Sequence, residues 1–132
     1  MLIKATQKYT RQTPRKVRLV ANTVRKMPLE RALQQLAVIE KKATMVVTKT
    51  LQQAIANATH NYGYKFDDLS IENILVTEGP RYRRFQAVSR GRAHDIIKRT
   101  CHVEVTLKTK DAKETKEVEA KKEAKEEAVK AK

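Results

Sequence analysis

The side chains best suited to bind a ligand are concentrated between residues 79 and 101. This segment carries seven basic residues, six of them arginine, against the single acid Asp95. Guanidinium groups bind phosphate at two points and stack on bases, so the composition predicts a nucleic-acid ligand. Two aromatic rings lie among the arginines and can either stack on unpaired bases or pack within the segment. The candidate binding residues here are Arg81, Tyr82, Arg83, Arg84, Phe85, Arg90, Arg92, Lys98 and Arg99.

A second basic block covers residues 1–29, which hold eight basic residues and no acidic one. Thr13-Pro14 predicts a helix start, with an apolar stripe from Val17 to Val24 at i, i+3, i+4 and i+7. The basic residues of the helix fall off that stripe and are expected to face outward. The candidates in this block are Lys8, Arg11, Arg15, Lys16, Arg18 and Arg25.

The distribution of charge separates the chain into two parts. Residues 1–110 hold 22 Lys and Arg against 8 Asp and Glu, whereas residues 111–132 hold 7 of each, so all of the +14 charge lies in the first part. A surplus of this size indicates a polyanionic partner. We expect one domain over residues 1–110, followed by a charged tail of Lys, Glu and Ala over residues 111–132 that is solvated or partly helical.

The sequence offers no arrangement of residues for catalysis. The three glycines are too dispersed for a phosphate loop, and the histidines show no metal-ligand spacing with Cys101. One cysteine closes no internal disulfide, and we interpret it as a small packing residue. We therefore expect no enzyme activity, no cofactor and no metal. The N-terminus has no apolar run that would predict a signal peptide, and no stretch is long enough to span a membrane, so a cytoplasmic protein is expected.

Hydropathy patterns predict an α+β fold. Strands are expected at residues 3–10, 69–78 and 102–108, and helices at about 14–26, 29–39 and 41–60. The second helix should place Leu33, Leu36 and Ala37 on one face. Together these elements make three helices on a small three-stranded antiparallel sheet. About 23 residues separate the last two strands, so this segment, here called the arm (residues 79–101), is either a long protruding β-hairpin or an unusually long loop.

Four segments resemble the uL22 (bacterial L22) family of large-subunit ribosomal proteins over about residues 5–108. They are TPRKVRLVA (13–21), AIANATHN (54–61), EGPRYRRF (78–85) and SRGRAHDIIKRTCHVEV (89–105). The last contains a pattern specific to the family: Ser89, Gly91, Arg92, His102, Val103 and Val105. Val88 departs from the family, which usually has a basic residue there.

The resemblance implies a globular part near the exit of the nascent-peptide tunnel and an extended hairpin that threads through 23S rRNA. It also implies a role in subunit assembly, neighbouring large-subunit ribosomal proteins as partners, and no homo-oligomer. Carried over, the hairpin tip lies at about residues 84–92 and contacts the nascent peptide. The residues expected to line the tunnel are Gln86, Ala87, Val88, Ser89, Arg90, Gly91 and Arg92.

An alternative interpretation is a helix-turn-helix DNA-binding protein that uses the first two helices, or a general RNA-binding protein. The second helix offers Arg31, Gln34 and Gln35 for base contacts. It also carries Glu30 and Glu40 at its ends, and this interpretation leaves the arm unexplained.

Overall fold

The computed structural model describes residues 1–109 as three helices covering one face of a three-stranded antiparallel sheet. The strand order is β1-β3-β2, so β3 is central. The predicted α+β class with a protruding hairpin is confirmed. The interpretation of residues 111–132 as a tail lies outside the described residues. The elements are β1 (Leu2–Thr10), α1 (Pro14–Val24), α2 (Leu29–Val38), α3 (Lys42–Ala56), β2 (Leu69–Ala87) and β3 (Ala93–Thr109).

The helices begin where the sequence predicts, but two details differ. Pro14 occupies the first position of α1 as expected, whereas the Thr13 hydroxyl at the N-cap makes no capping hydrogen bond. In α2 the buried residues are Leu29, Ala32 and Leu36, and Ala37 is exposed. The predicted face was wrong at Ala37 because Leu29, directly after a proline, anchors the helix and sets the buried face at i, i+3 and i+7.

The third helix is shorter and less regular than predicted. α3 ends at Ala56 and continues as a wider π-helical turn over Asn57–Asn61. Gly63 then ends the turn with a φ of +70°, and its N–H donates to the Thr59 carbonyl. A left-handed residue here is most easily a glycine, which confirms the predicted helix end.

The hydrophobic core lies between the helices and the central strand. Val103, Val105 and Leu107 of β3 are fully buried, as their alternation predicts. Leu51 and Val47 of α3 meet this face, together with the valine stripe of α1. Residues 80–99 of the arm contribute nothing comparable because they are all exposed, whereas Thr100 and Cys101 at its end are buried.

Cys101 belongs to this core and is fully buried. Burial raises the pKa of its thiol, and the positive charge of Arg18 offsets part of that rise. The thiolate is the reactive form, so at pH 8 the native thiol should react with iodoacetamide at least about tenfold more slowly than in urea. Mass spectrometry measures both alkylation rates. Equal rates in the two conditions would contradict the packing role of Cys101.

The arm is a regular two-stranded ribbon, and of the two possibilities for residues 79–101 the long hairpin is correct. β2 and β3 stay paired as far as Ala87 opposite Ala93. Residues 88–92 form the turn, where Arg90 and Gly91 have φ values of +60° and +67° and the Val88 N–H donates to the Arg92 carbonyl. Two successive positive φ values match the right-handed twist of a hairpin.

Candidate nucleic-acid interface

Both faces of the arm are positively charged and open to solvent. Residues directly opposite in an antiparallel pair share a face, so Arg81 and Arg99 lie with Arg83 on one side. On the other side Tyr82 opposes Lys98, and Arg84 opposes Ile96. An ordinary sheet buries one of its faces, but over residues 80–99 neither face of the arm packs on the core. Its basic side chains are therefore available to ligands on two sides.

Two bulges mark the point at which the sheet narrows to the arm. In β1, Lys8 and Tyr9 together oppose His102, and in β2, Gly79 and Pro80 together oppose Thr100. Bulges bend a strand and increase its twist, so they set the direction in which the arm leaves the sheet. The Thr100 hydroxyl donates to the Pro80 carbonyl at 2.7 Å and fixes the second bulge.

The bulge in β1 places Tyr9 in an unusual backbone conformation. Its φ is +57°, which is rare and strained for a residue with a bulky side chain. The Tyr9 N–H donates to Nδ1 of His102 at 2.9 Å, and the two rings meet edge to face at 4.9 Å. These contacts hold the backbone and ring in place while Tyr9 stays 60% exposed.

A groove of about 1140 Å³ lies between the base of the arm and the N-terminal ends of α1 and α3. We call it the basic groove, because seven of its lining residues are basic and none of those the structure describes is acidic. The Gln12 side chain donates to the Lys42 carbonyl at 2.8 Å, which ties the two helix ends together. The basic lining residues are Arg11, Lys16, Lys41, Lys42, Arg84, Lys98 and Arg99.

Arg18 of α1 and Arg25, which caps its C-terminal end, do not simply face outward as predicted. Nε of Arg18 donates to the Val76 carbonyl at 3.1 Å, and an Nη of Arg25 donates to the Ile74 carbonyl at 2.7 Å. These carbonyls are two residues apart on the free edge of β2, where alternate carbonyls have no strand partner. The i, i+7 spacing of the arginines matches that edge, so both contribute to holding α1 against the sheet.

The carboxylate of Glu78 forms an ion pair at the start of the arm. Arg81 donates to Glu78 Oε2 at 2.8 Å, and this hydrogen bond, with the charge of Arg81, lowers the pKa of Glu78. Glu78 therefore stays ionised at neutral pH. It offsets part of the positive charge of Arg81 but not that of the arginines further along the arm.

The structure brings together some of the predicted binding residues and separates others. Arg11, Lys16, Tyr82, Arg84, Lys98 and Arg99 line the basic groove. The sequence analysis missed Tyr9, Lys41 and Lys42, which line the same groove. Lys41 and Lys42 lie in a stretch of balanced overall charge, so only their position at a predicted helix start would have identified them. The predicted residues elsewhere are Lys8, Arg15, Arg18, Arg25, Arg81, Arg83, Phe85, Arg90 and Arg92.

Residues 1–109 hold no group of three or more His, Cys, Asp or Glu side chains that could bind a metal ion. They also hold no helix that is long and apolar enough to cross a membrane.

The fold and its surface define a strongly basic α+β protein with a long charged hairpin. Comparison with known proteins identifies the family. A family model described as ribosomal protein L22p/L17e matches residues 5–108. The large ribosomal subunit protein uL22 of Pseudothermotoga lettingae is 45% identical over 111 residues, which cover 84% of this chain and 80% of that relative. The chain therefore belongs to the ribosomal protein L22p/L17e family.

Membership of this family makes the chain a structural protein of the large ribosomal subunit. The family is one of structural ribosomal proteins and is not known for an enzyme activity. The helix-turn-helix alternative gains no support, because the family model that matches residues 5–108 describes a ribosomal protein. That interpretation would also leave the arm without a role.

Proposed function

We propose that the chain binds 23S rRNA in the cytoplasm, assists assembly of the large subunit, and extends its arm into the wall of the nascent-peptide tunnel. The globular part would lie near the tunnel exit beside other large-subunit proteins, and the chain would act as a single copy. The proposal carries over what resemblance to the family implies. The residues proposed to contact rRNA are Lys8, Arg11, Arg15, Lys16, Arg18, Arg25, Arg81, Tyr82, Arg83, Arg84, Phe85, Arg90, Arg92, Lys98 and Arg99.

The observation that carries the proposal is the arm with basic residues on both of its faces. A two-stranded ribbon without a core is only marginally stable in water, and repulsion among its arginines weakens it further. Phosphates on both sides would remove that repulsion and satisfy the guanidinium groups. RNA that surrounds the arm supplies such phosphates, whereas a ligand on one side leaves half of the charge unused.

The tip of the arm supports the proposed contact with the nascent peptide. The arm extends about 35 Å if each of its strands contributes roughly 10–11 residues at ~3.3 Å per residue. Its turn ends in Arg90 and Gly91, with Val88 36% exposed beside them. The proposed tunnel wall consists of Gln86, Ala87, Val88, Ser89, Arg90, Gly91 and Arg92. An apolar Val88 between arginines would give that wall a weaker positive potential than a basic residue would.

The proposal is tested by measuring binding of the full chain to 23S rRNA fragments and to duplex DNA of equal length across a salt series. We expect a preference for 23S fragments that persists at moderate salt, and log K falling linearly with log salt. The chain should also enter large subunits during reconstitution. Equal affinity for rRNA and DNA at moderate salt would mean a general polyanion binder and would refute the proposal.

A further inference from the structure

Resting on the proposed binding of rRNA, we infer that the basic groove holds an unpaired stretch of an RNA strand, with one base stacked on Tyr9. The inference concerns a site formed by residues far apart in the sequence. Tyr9 comes from the bulge of β1, Lys41 and Lys42 from the start of α3, and Lys98 from the base of the arm. No segment of the sequence predicts this combination.

The size and charge of the groove favour a polymer over a small molecule. Its volume of about 1140 Å³ exceeds the range of roughly 300–1,000 Å³ that is typical of small-ligand pockets. A basic lining without acids, among the residues that the structure describes, suits several phosphates in succession. Lys41 and Lys42 are exposed. They can reach a phosphate without first breaking a contact within the protein.

The aromatic residues decide between an unpaired strand and a duplex. A double helix presents phosphates and sugars to a groove and keeps its bases stacked, so it would make no use of an exposed ring. Tyr9 is 60% exposed and Tyr82 is 46% exposed, and both line the basic groove. An unpaired base can stack on either ring while its phosphates meet the lysines.

The backbone of Tyr9 indicates which ring is the fixed platform. Its positive φ costs free energy, yet the bulge, the hydrogen bond to His102 and the edge-to-face contact between the rings all maintain it. The His102 ring meets the Tyr9 ring edge to face, and 60% of Tyr9 is left accessible. A ring held in place in advance loses little entropy when a base stacks on it.

The test uses the full chain and a single-stranded RNA decamer that carries 2-aminopurine, with the same sequence as a duplex for comparison. Tyr9→Leu should weaken single-strand binding between about 5-fold and 150-fold, the range for loss of one stacked base. Duplex binding should change less than twofold, and Tyr9→Phe should retain the affinity and the fluorescence quenching. Tyr62→Leu is the matched control, because Tyr62 is 50% exposed and lies outside the groove.

A second variant tests the groove without touching Tyr9. Lys41→Gln with Lys42→Gln should reduce the salt slope for the single strand by about 1.4, at ~0.7 per phosphate contact. The control Lys26→Gln with Lys65→Gln removes the same charge from exposed positions outside the groove. Unchanged binding by both groove variants, in a chain that still prefers 23S fragments, would overturn the groove inference and leave the proposed function standing. No preference for 23S fragments in the unsubstituted chain would instead refute the proposed function.

Discussion

Replacing residues 82–99 by a short glycine-containing turn should lower affinity for 23S fragments by up to about 10⁴-fold at 0.1 M salt and leave the fold intact. The replaced segment carries six basic residues. At ~0.7 counterions released per phosphate contact, six contacts contribute about 4 to the slope of log K against log salt. Their contribution to the binding constant therefore changes by about 10⁴-fold between about 0.1 M and 1 M salt. The fold should survive because residues 80–99 are all exposed and no core side chain is removed. Filter binding across a salt series and circular dichroism measure the two effects.

A variant that keeps the arm at full length but replaces its six basic residues by Gln separates charge from shape. Both variants should lose the same part of the salt slope. If the globular part directs the protein to its place, both should still enter large subunits during reconstitution. Cryo-electron microscopy of the particles should then show an altered tunnel wall where the arm is short. Failure of the short variant to lose affinity would place the binding energy in the globular part and contradict the role of the arm.

The local elements could be predicted from the sequence because each depends on a short-range pattern. Pro14 marked the start of α1, and the alternation of Val103, Val105 and Leu107 identified the buried face of β3. The cluster of arginines likewise predicted a basic arm, whose arginine side chains the structure leaves exposed. Each of these signals depends on residues within a few positions of one another, where the periods of 3.6 and 2.0 apply directly.

The groove and the contacts of α1 could not be predicted in this way, because they depend on register and packing. The way α1 lies on the sheet determines which carbonyls of β2 accept hydrogen bonds from Arg18 and Arg25. The bulge that exposes Tyr9 is an irregularity in strand pairing. No glycine lies at this position in the sequence to indicate it. Lys41 and Lys98 line the same groove only because α3 begins beside the base of the arm. Such long-range placements follow from the whole fold and not from any window of sequence.

Gly79, at the base of the arm, should be sensitive to a single added methyl group. A Cβ at Gly79 would lie 2.5 Å from Oγ1 of Thr100 and 3.3 Å from two ring atoms of His102. The backbone of Gly79 is not left-handed, so Gly79→Ala in open space would stabilise the chain by about 0.4–1 kcal/mol through the unfolded state. Because of the clash, Gly79→Ala should instead lower the free energy of unfolding by about 1–3 kcal/mol. Gly79→Val should lower it further.

The reason is that Thr100 has no free direction in which to move. Rotating its side chain breaks the 2.7 Å hydrogen bond to the Pro80 carbonyl and leaves a buried hydroxyl without that partner. The His102 ring, 3.3 Å from the added Cβ, must also shift, which strains its hydrogen bond from the Tyr9 N–H and the ring contact that supports the backbone of Tyr9. Either response loosens a bulge where the sheet gives way to the arm.

Urea unfolding followed by circular dichroism measures the effect, with Gly91→Ala as the matched control. Gly91 also lies in the arm, but nothing surrounds its Cβ position within 4 Å. Its φ of +67° makes alanine locally strained at the exposed tip, where opening does not involve the core. Gly91→Ala should therefore change the unfolding midpoint less than Gly79→Ala does. A neutral or stabilising Gly79→Ala would mean that the bulge accommodates an added methyl group without losing free energy of unfolding. The close packing of Thr100 and His102 against the β2 bulge would then not set the geometry of the arm.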